Sequence, residues 1–164
     1  MTEGYILVAI GKQYIDECYN LALTLRKNKD NRPISLLIKK EDESYAISKN
    51  MFDKLNYFND NDQLFLDCNT NFEKYGVYPK ITLDRYLQYD KNIYLDSDVL
   101  CGFETEEAWS FFNNHNQPIQ LVGFLKDPSW HFGKLERVSE IYGKNVPHTH
   151  SGILYMRKCE ETYD

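Results

Sequence analysis

The 164-residue chain lacks long apolar runs and any excess of basic residues. No stretch approaches the ~18 consecutive apolar residues of a membrane-spanning helix. The N-terminus also has no basic region followed by a long apolar run, which a secretory signal would need. These absences predict a cytoplasmic protein. The formal net charge of -6 argues against nonspecific nucleic-acid binding, which depends on clustered Lys and Arg, so we expect no nucleic-acid partner.

Cysteine, proline and glycine are sparse as well. The four cysteines form no C-x-x-C pair and have no zinc-ligand spacing, which predicts reduced core thiols at Cys18, Cys68, Cys101 and Cys159. Internal repeats and Pro/Gly-rich linkers are absent, so the length fits one domain with its own core. The chain is instead rich in apolar residues, at 42%, and has 13 tyrosines, a composition typical of a folded globular domain.

Apolar runs that alternate with helical periodicity predict an α/β fold. Residues 5–10 are an unbroken apolar run ending before Gly11, which is typical of a strand buried on both faces. A helix is indicated next by the spacing of Tyr14, Cys18, Leu21, Ala22 and Leu25.

Further strands are predicted over residues 34–38, 63–68, 92–95, 119–125 and 151–156. Further helices are predicted over residues 43–58, 79–88, 104–112 and 134–142. This order predicts an α/β sheet with mostly parallel strands, flanked by helices.

Two carboxylates, Asp96 and Asp98, directly follow the predicted strand over residues 92–95. Open α/β sheets bind their ligands at the carboxyl ends of their strands. Two hard oxygen ligands suit Mg²⁺ or Mn²⁺, and such an ion completes its shell with waters and substrate phosphates. Like charges roughly 6–7 Å apart along an extended chain also repel unless a cation neutralises them. The pair therefore predicts a metal site for a phosphate-bearing ligand.

Three other interpretations start from the same pair. An EF-hand calcium loop fails, because it needs oxygen at its fifth position and Gly at its sixth, where Leu100 and Cys101 stand. A haloacid-dehalogenase-like phosphatase also presents D-x-D after a strand, with the first Asp as nucleophile, although that pattern usually has Thr or Val in place of Leu100. Aspartates that merely cap a turn are the third. The last two interpretations remain open at this point.

Three segments carry a resemblance to a known family. Residues 78–100, which lead into Asp96-Ser97-Asp98, resemble the same stretch of glycogenin-like and lipopolysaccharide galactosyltransferase-like enzymes, of the glycosyltransferase family 8 type. Residues 8–25 resemble the nucleotide-binding start of these enzymes, and residues 149–156 are similar to their Asn-Ser-Gly strand. The resemblance implies a GT-A fold and a metal-dependent transferase. The expected donor is a nucleotide-diphosphate sugar, with a UDP-sugar favoured, and the expected ion is Mn²⁺ or Mg²⁺.

The resemblance also implies roles for individual residues. Asp96 and Asp98 are expected to hold the metal, Asp98 as the more direct ligand. Lys80 corresponds to a basic residue that helps to hold the donor phosphate, and its place in the first turn of a predicted helix would add an anion site. Tyr14 matches an aromatic that stacks on the base, unless it belongs to the core stripe of its helix. Donor contacts are expected of Ala9, Ser97, His150, Ser151 and Gly152.

Two departures from the family pattern qualify these roles. Gly11 stands where the glycogenin pattern has Asn, which leaves the identity of the base open. Catalytic domains of the family continue beyond the Asn-Ser-Gly strand and supply there a further metal ligand, often His, and much of the acceptor site. We therefore expect one GT-A domain over residues 1–164, short at its C-terminus, with an unknown glycan, lipid or protein acceptor. A noncatalytic nucleotide-sugar-binding domain is the alternative.

Overall fold

The computed structural model describes residues 1–71, 73–124 and 148–159 of the chain. The strands in this part are β1 (Glu3–Ala9), β2 (Ile34–Ile38), β3 (Lys54–Tyr57), β4 (Lys91–Leu95), β5 (Ile119–Phe124) and β6 (His148–Arg157). The α-helices are α1 (Lys12–Lys27), α2 (Glu43–Ser48), α3 (Gln63–Leu66), α4 (Tyr78–Ile81) and α5 (Glu106–Asn113). Tighter 3-10 turns cover Lys40–Asp42 and Leu83–Tyr86, and a π-helical turn covers Glu73–Val77.

The strands form one mixed sheet in the order β3-β2-β1-β4-β6-β5. β1 pairs in parallel with β2 and β4, and β2 pairs in parallel with β3. β6 is antiparallel to both β4 and β5. The α/β class is thus confirmed, with the parallel strands on one side of the sheet and an antiparallel pair on the other. Strand β1, predicted to be buried on both faces, is buried at five of its seven residues, and β2 is buried along its whole length.

Helix α1 packs one apolar stripe on the sheet, and that stripe consists of Ile15, Cys18, Leu21, Ala22 and Leu25. The side chains recur at three- and four-residue intervals, the spacing of one helix face. Of the four cysteines, Cys18 is buried and the other three are half-buried, so the prediction of core thiols holds for Cys18 alone. Burial raises the pKa of the Cys18 thiol, which keeps it protonated.

A buried polar network ties α5 to the start of β2. Asp30 is 4% exposed and accepts hydrogen bonds from the Tyr5 hydroxyl, at 2.6 Å, and from the Thr105 hydroxyl. Trp109 Nε1 donates to Tyr5 at 2.8 Å, and Arg32 lies 3.2 Å from Asp30. Burial alone would raise the pKa of Asp30, but these hydrogen bonds and the Arg32 charge hold it below its usual value. The network therefore holds α5 against the sheet.

Two predicted elements near the sheet edge are wrong. The helix predicted over residues 43–58 ends at Ser48, Asn50 adopts a positive φ of 48°, and the chain then forms β3. The strand predicted over residues 63–68 is the short helix α3. The Asp62 side chain caps that helix by accepting a hydrogen bond from Leu64 N at 2.9 Å. A short apolar run does not distinguish a strand from a helix, and the cap decides here.

The helix predicted over residues 79–88 is broken at Thr82. Its first part is the four-residue α4, and its second part is the 3-10 turn Leu83–Tyr86. The Thr82 hydroxyl donates to Tyr78 O at 2.8 Å, a side-chain bond that competes with regular helix continuation.

The elements from β4 onward agree more closely with the predictions from the sequence. The predictions over residues 92–95, 104–112 and 151–156 are confirmed as β4, α5 and β6, with shifted ends. The prediction over 119–125 is confirmed as β5 up to Phe124. The helix predicted over residues 134–142 lies outside the described residues. Within the described ranges, no helix has the length and apolarity that crossing a membrane requires.

Candidate functional site

A cleft of about 1190 Å³ opens at the carboxyl ends of β1, β2 and β4. After β1 the chain proceeds to β2 on one side, and β4 lies on the other side, so the strand order reverses beside β1. Such a switch point leaves a crevice between the loops that follow the two strands, and open α/β sheets bind ligands there. The sheet topology therefore creates this cleft, and the loops after its strands supply the side chains.

The acidic turn (Asp96, Ser97 and Asp98) leaves β4 at the floor of this cleft. Asp96 N donates to Gly152 O at 2.9 Å, and Val99 N donates to Asp96 O at 3.2 Å, which fixes the turn backbone. Among the described residues, neither carboxylate accepts a hydrogen bond from a backbone N–H, which is the contact a turn-capping Asp makes. Both carboxylates are thus presented to the cleft.

Lys80 and Tyr94 both contact the Asp96 carboxylate. Lys80 Nζ lies 2.7 Å from Asp96 Oδ1, with the two side chains 30% and 21% exposed. The Tyr94 hydroxyl donates to the same oxygen. Burial, reinforced by the Asp96 charge, raises the pKa of Tyr94, so the hydroxyl keeps its proton and remains a donor. The structure thus brings Lys80 to the predicted metal pair.

The helix-dipole argument for Lys80 is wrong, because Lys80 does not lie in a first turn: the π-helical turn Glu73–Val77 runs directly into α4, and Lys80 lies in the last turn. A cation near the C-terminal end of a helix does not oppose the macrodipole, so the helix gives no reason to expect an anion there. Any anion affinity at this position comes from the Lys80 ammonium itself.

Tyr14 lies in the cleft and not in the core. It is 47% exposed and lines the cleft, while its neighbour Ile15 takes the first position of the buried stripe. The core interpretation of Tyr14 is therefore wrong. Its contact with a base stays a prediction.

Glu17 is a site residue that the sequence interpretation missed. It lines the cleft, and its Oε2 accepts a hydrogen bond from the Ser97 hydroxyl at 2.6 Å. Glu17 stands three residues after Tyr14 on α1, and residues at that interval share a helix face. The spacing could therefore have indicated it once Tyr14 was placed in a ligand site. The hydrogen bond ties α1 to the acidic turn across 80 residues of sequence.

Gly11 forms the corner between β1 and α1. Its backbone has φ 104° and ψ 156°, a region that is essentially restricted to glycine. A Cβ added there would meet nothing within 4 Å, so the restriction is conformational and not steric. Ala9, two residues before Gly11, is buried, and its flanking residues Val8 and Ile10 line the cleft.

The β6 backbone passes beside the acidic turn. Leu95 is opposite Ile153, and the next contact is the hydrogen bond from Asp96 N to Gly152 O. On the other edge, the register with β5 shifts between Leu121 and Val122, whose partners are Leu154 and His150. The β5 side of the strand is therefore irregular between His150 and Leu154, as strands often are next to binding sites. Gly152 is placed at the site by this backbone contact, while the roles of the His150 and Ser151 side chains stay predictions.

A second group of cleft residues follows β2, and the sequence interpretation did not identify these residues either. Lys39, Glu41 and Asp42 line the cleft, together with Tyr75. Lys39 Nζ lies 4.3 Å from the centre of the Tyr75 ring and 3.7 Å from Glu41 Oε1. Since β2 runs parallel to β1, its carboxyl end opens on the same side of the sheet.

The cleft is electrostatically negative. Its described lining includes two lysines, Lys39 and Lys80, and the carboxylates of Glu17, Glu41, Asp42, Asp96 and Asp98. This lining attracts cations and opposes an unaccompanied polyanion.

The donor set fits a hard divalent cation. Asp96 and Asp98 offer carboxylate oxygens, which suit Mg²⁺ and Mn²⁺. Over residues 1–71, 73–124 and 148–159, no cluster of three or more His, Cys, Asp or Glu side chains could hold an ion. The acidic turn would therefore supply two protein ligands, with waters and ligand oxygens completing the shell, which is how Mg²⁺ is commonly bound.

Comparison with models of protein families and with curated protein sequences gives no match. Solved structures do match. Mouse xyloside xylosyltransferase 1 superimposes with a TM-score of 0.67 at 11% identity, over 99% of this chain and 68% of that one. The galactosyltransferase LgtC, solved with donor and acceptor sugar analogues, gives a TM-score of 0.69 at 13% identity, over 99% of this chain and 60% of that one. The bifunctional glycosyltransferase WbbM gives 0.63 at 15% identity, over 96% and 31%.

These likenesses confirm the GT-A fold that the resemblance implied. The chain spans 60% of LgtC and 68% of the xylosyltransferase, so it corresponds to part of their length.

Proposed function

We propose that the cleft binds a nucleotide-diphosphate sugar together with a divalent metal ion, and that the protein transfers the sugar to an acceptor. One observation carries this proposal: the acidic turn, Lys80 and Tyr14 line a single cleft at the switch point of a GT-A sheet. The three solved structures named above are glycosyltransferases, which supports this reaction class. The phosphatase interpretation is not retained, because it has no comparable support.

Each of the cleft residues has a proposed role that follows from its chemistry. Asp96 and Asp98 would hold Mn²⁺ or Mg²⁺, which supplies charge stabilisation to the nucleoside diphosphate that leaves when the sugar bond breaks. Lys80 carries a positive charge in contact with the acidic turn and can pair with diphosphate oxygens. Glu17 holds the turn through Ser97. Tyr14 offers an exposed ring on which a base can stack, with uridine expected from the resemblance.

The sugar side of the cleft is assigned to the β6 backbone. Gly152 accepts the hydrogen bond from Asp96 N, so any group held by the acidic turn lies near this strand. His150 and Ser151 are proposed donor contacts on the strength of the resemblance. The single-domain assignment of residues 1–164 and the cytoplasmic location stay predictions.

A noncatalytic nucleotide-sugar-binding domain is the second candidate. Its support is the same cleft, because the contacts described there would hold a donor without transferring its sugar. Hydrolysis of several nucleotide sugars, measured over hours, separates the two candidates. A transferase slowly passes sugar to water, whereas a binding domain releases no nucleoside diphosphate above background.

A thermal-shift panel tests the binding proposal. UDP-, GDP-, ADP- and CMP-sugars are added with and without Mn²⁺ to the wild type and to Asp98→Asn. One nucleotide with Mn²⁺ at 100 times the dissociation constant should stabilise the wild type by about 2.7 kcal/mol. That corresponds to a rise of about 5–11 °C in melting temperature for a chain of this size. The proposal is wrong if no nucleotide shifts the wild type, and the metal role is wrong if Asp98→Asn responds equally.

A further inference from the structure

Two donors converge on one oxygen of the acidic turn. Asp96 Oδ1 lies 2.7 Å from the Lys80 ammonium and accepts the Tyr94 hydroxyl. Tyr94 is buried in β4 and cannot turn away, whereas Lys80 reaches Asp96 from α4 with a flexible stem. Of the two contacts, only the one with Lys80 can be exchanged without disturbing the core.

A divalent cation at Asp96 and an ammonium at the same carboxylate repel each other. At contact distance the two positive charges would share one anionic group, which compensates only part of their charge. An ion that takes Asp96 therefore displaces Lys80 or binds weakly beside it. A diphosphate offers the displaced ammonium new oxygen partners.

We propose that Lys80 is an exchangeable counter-ion of Asp96, which weakens metal binding to the empty cleft and moves to the diphosphate when nucleotide enters. The inference rests on the proposed function, since it assumes that the acidic turn binds a metal. Metal and nucleotide binding are then coupled through Lys80, in addition to any direct bond between them. Coupling of this kind is reciprocal, so each ligand tightens the other by the same factor.

The counter-ion role gives opposite signs for the two ligands when the ammonium is removed. In Lys80→Met, Mn²⁺ alone should bind about fivefold tighter than in the wild type, the scale of a partly exposed ion pair. UDP in the presence of Mn²⁺ should bind more weakly, because the diphosphate loses its lysine. A lysine that serves only the phosphate would leave the affinity for Mn²⁺ alone unchanged.

Lys39→Met is the matched control. Lys39 lines the same cleft, but its described contacts are with Glu41 and the Tyr75 ring and not with Asp96. Lys39→Met removes one positive charge from the cleft, as Lys80→Met does, and should change the Mn²⁺ affinity by less than about twofold. Lys80→Arg retains the positive charge, so its affinities for Mn²⁺ alone and for UDP with Mn²⁺ should stay close to those of the wild type.

The experiment is a titration of free Mn²⁺ by electron paramagnetic resonance on the full chain, without nucleotide and with saturating UDP. Tighter Mn²⁺ binding in Lys80→Met, but not in Lys39→Met, supports the counter-ion role. Equal or weaker binding in Lys80→Met, with Mn²⁺ still bound by the wild type, overturns it and leaves the proposed function intact. No Mn²⁺ binding by any variant, with or without UDP, overturns both. Melting temperatures of the variants verify that each is folded.

Discussion

The hydrogen bond between Ser97 and Glu17 makes a quantitative prediction about the acidic turn. The Ser97 hydroxyl donates to the Glu17 carboxylate at 2.6 Å, and both residues are half-buried. Hydrogen bonds to a charged group contribute about 1.5–3 kcal/mol when they are well formed. Water can partly replace this one, so we expect a coupling free energy of about 1–2 kcal/mol between the two side chains.

A double-mutant cycle measures this coupling. Ser97→Ala, Glu17→Ala and the double variant are unfolded in urea, and the coupling is the departure from additivity. The control pair is Gln13→Ala with Glu17→Ala, because Gln13 makes a long 3.3 Å contact with Glu17 at the exposed helix surface and should couple by less than about 0.5 kcal/mol.

The same variants test whether the hydrogen bond positions the site. If Glu17 holds the acidic turn, Ser97→Ala and Glu17→Ala should each weaken the Mn²⁺-dependent binding of UDP by a similar factor, and the double variant should be little worse than either. A coupling free energy below about 0.3 kcal/mol, together with additive losses of UDP affinity, would show that the Ser97–Glu17 hydrogen bond does not position the acidic turn.

Three further predictions concern the framework of the site. Asp30→Asn should lower the free energy of unfolding, measured in urea, by about 2–3 kcal/mol, because Arg32 loses its most buried partner. The loss is moderate because Arg32 keeps its ion pair with Glu3. Since the folded-state pKa of Asp30 lies below its unfolded value, its contribution is present above the unfolded pKa and is lost as pH falls through the folded one. Wild-type stability should therefore fall more steeply below about pH 4 than that of Asp30→Asn. Gly11→Ala should cost about 1–3 kcal/mol through backbone strain alone, and an unchanged midpoint in urea would contradict this.

The central part of the fold could be predicted from the sequence because its patterns agree with the residues that bound them. The apolar runs over residues 5–10 and 34–38 are bounded by Gly11 and Pro33, the stripe of α1 repeats at helical spacing over several turns, and all three elements are found. The failures lie where local chemistry outweighs periodicity. Asp62 caps a helix in a run that looked like a strand, and Thr82 interrupts a helix by bonding to the backbone.

The site could be predicted only in part, for a related reason. Asp96 and Asp98 follow a buried strand, so their placement depends on one local pattern. The contacts that organise them are long-range: Glu17 reaches Ser97 from α1, and Lys80 reaches Asp96 from a separate turn. No spacing in the sequence encodes these distances, because they depend on how the sheet arranges its loops. The resemblance supplied Lys80 but not its partner.

We expect the acidic turn to bind nucleotide through a metal ion. The direct measurement is an isothermal titration of UDP into the full chain, with Mn²⁺ and with a chelator, for the wild type, for Asp98→Asn and for the exposed-loop control Asp60→Asn. Mn²⁺ should tighten UDP binding by at least about tenfold in the wild type and in Asp60→Asn, and Asp98→Asn should lose this gain. Equal UDP affinity with Mn²⁺ and with chelator in the wild type would contradict it.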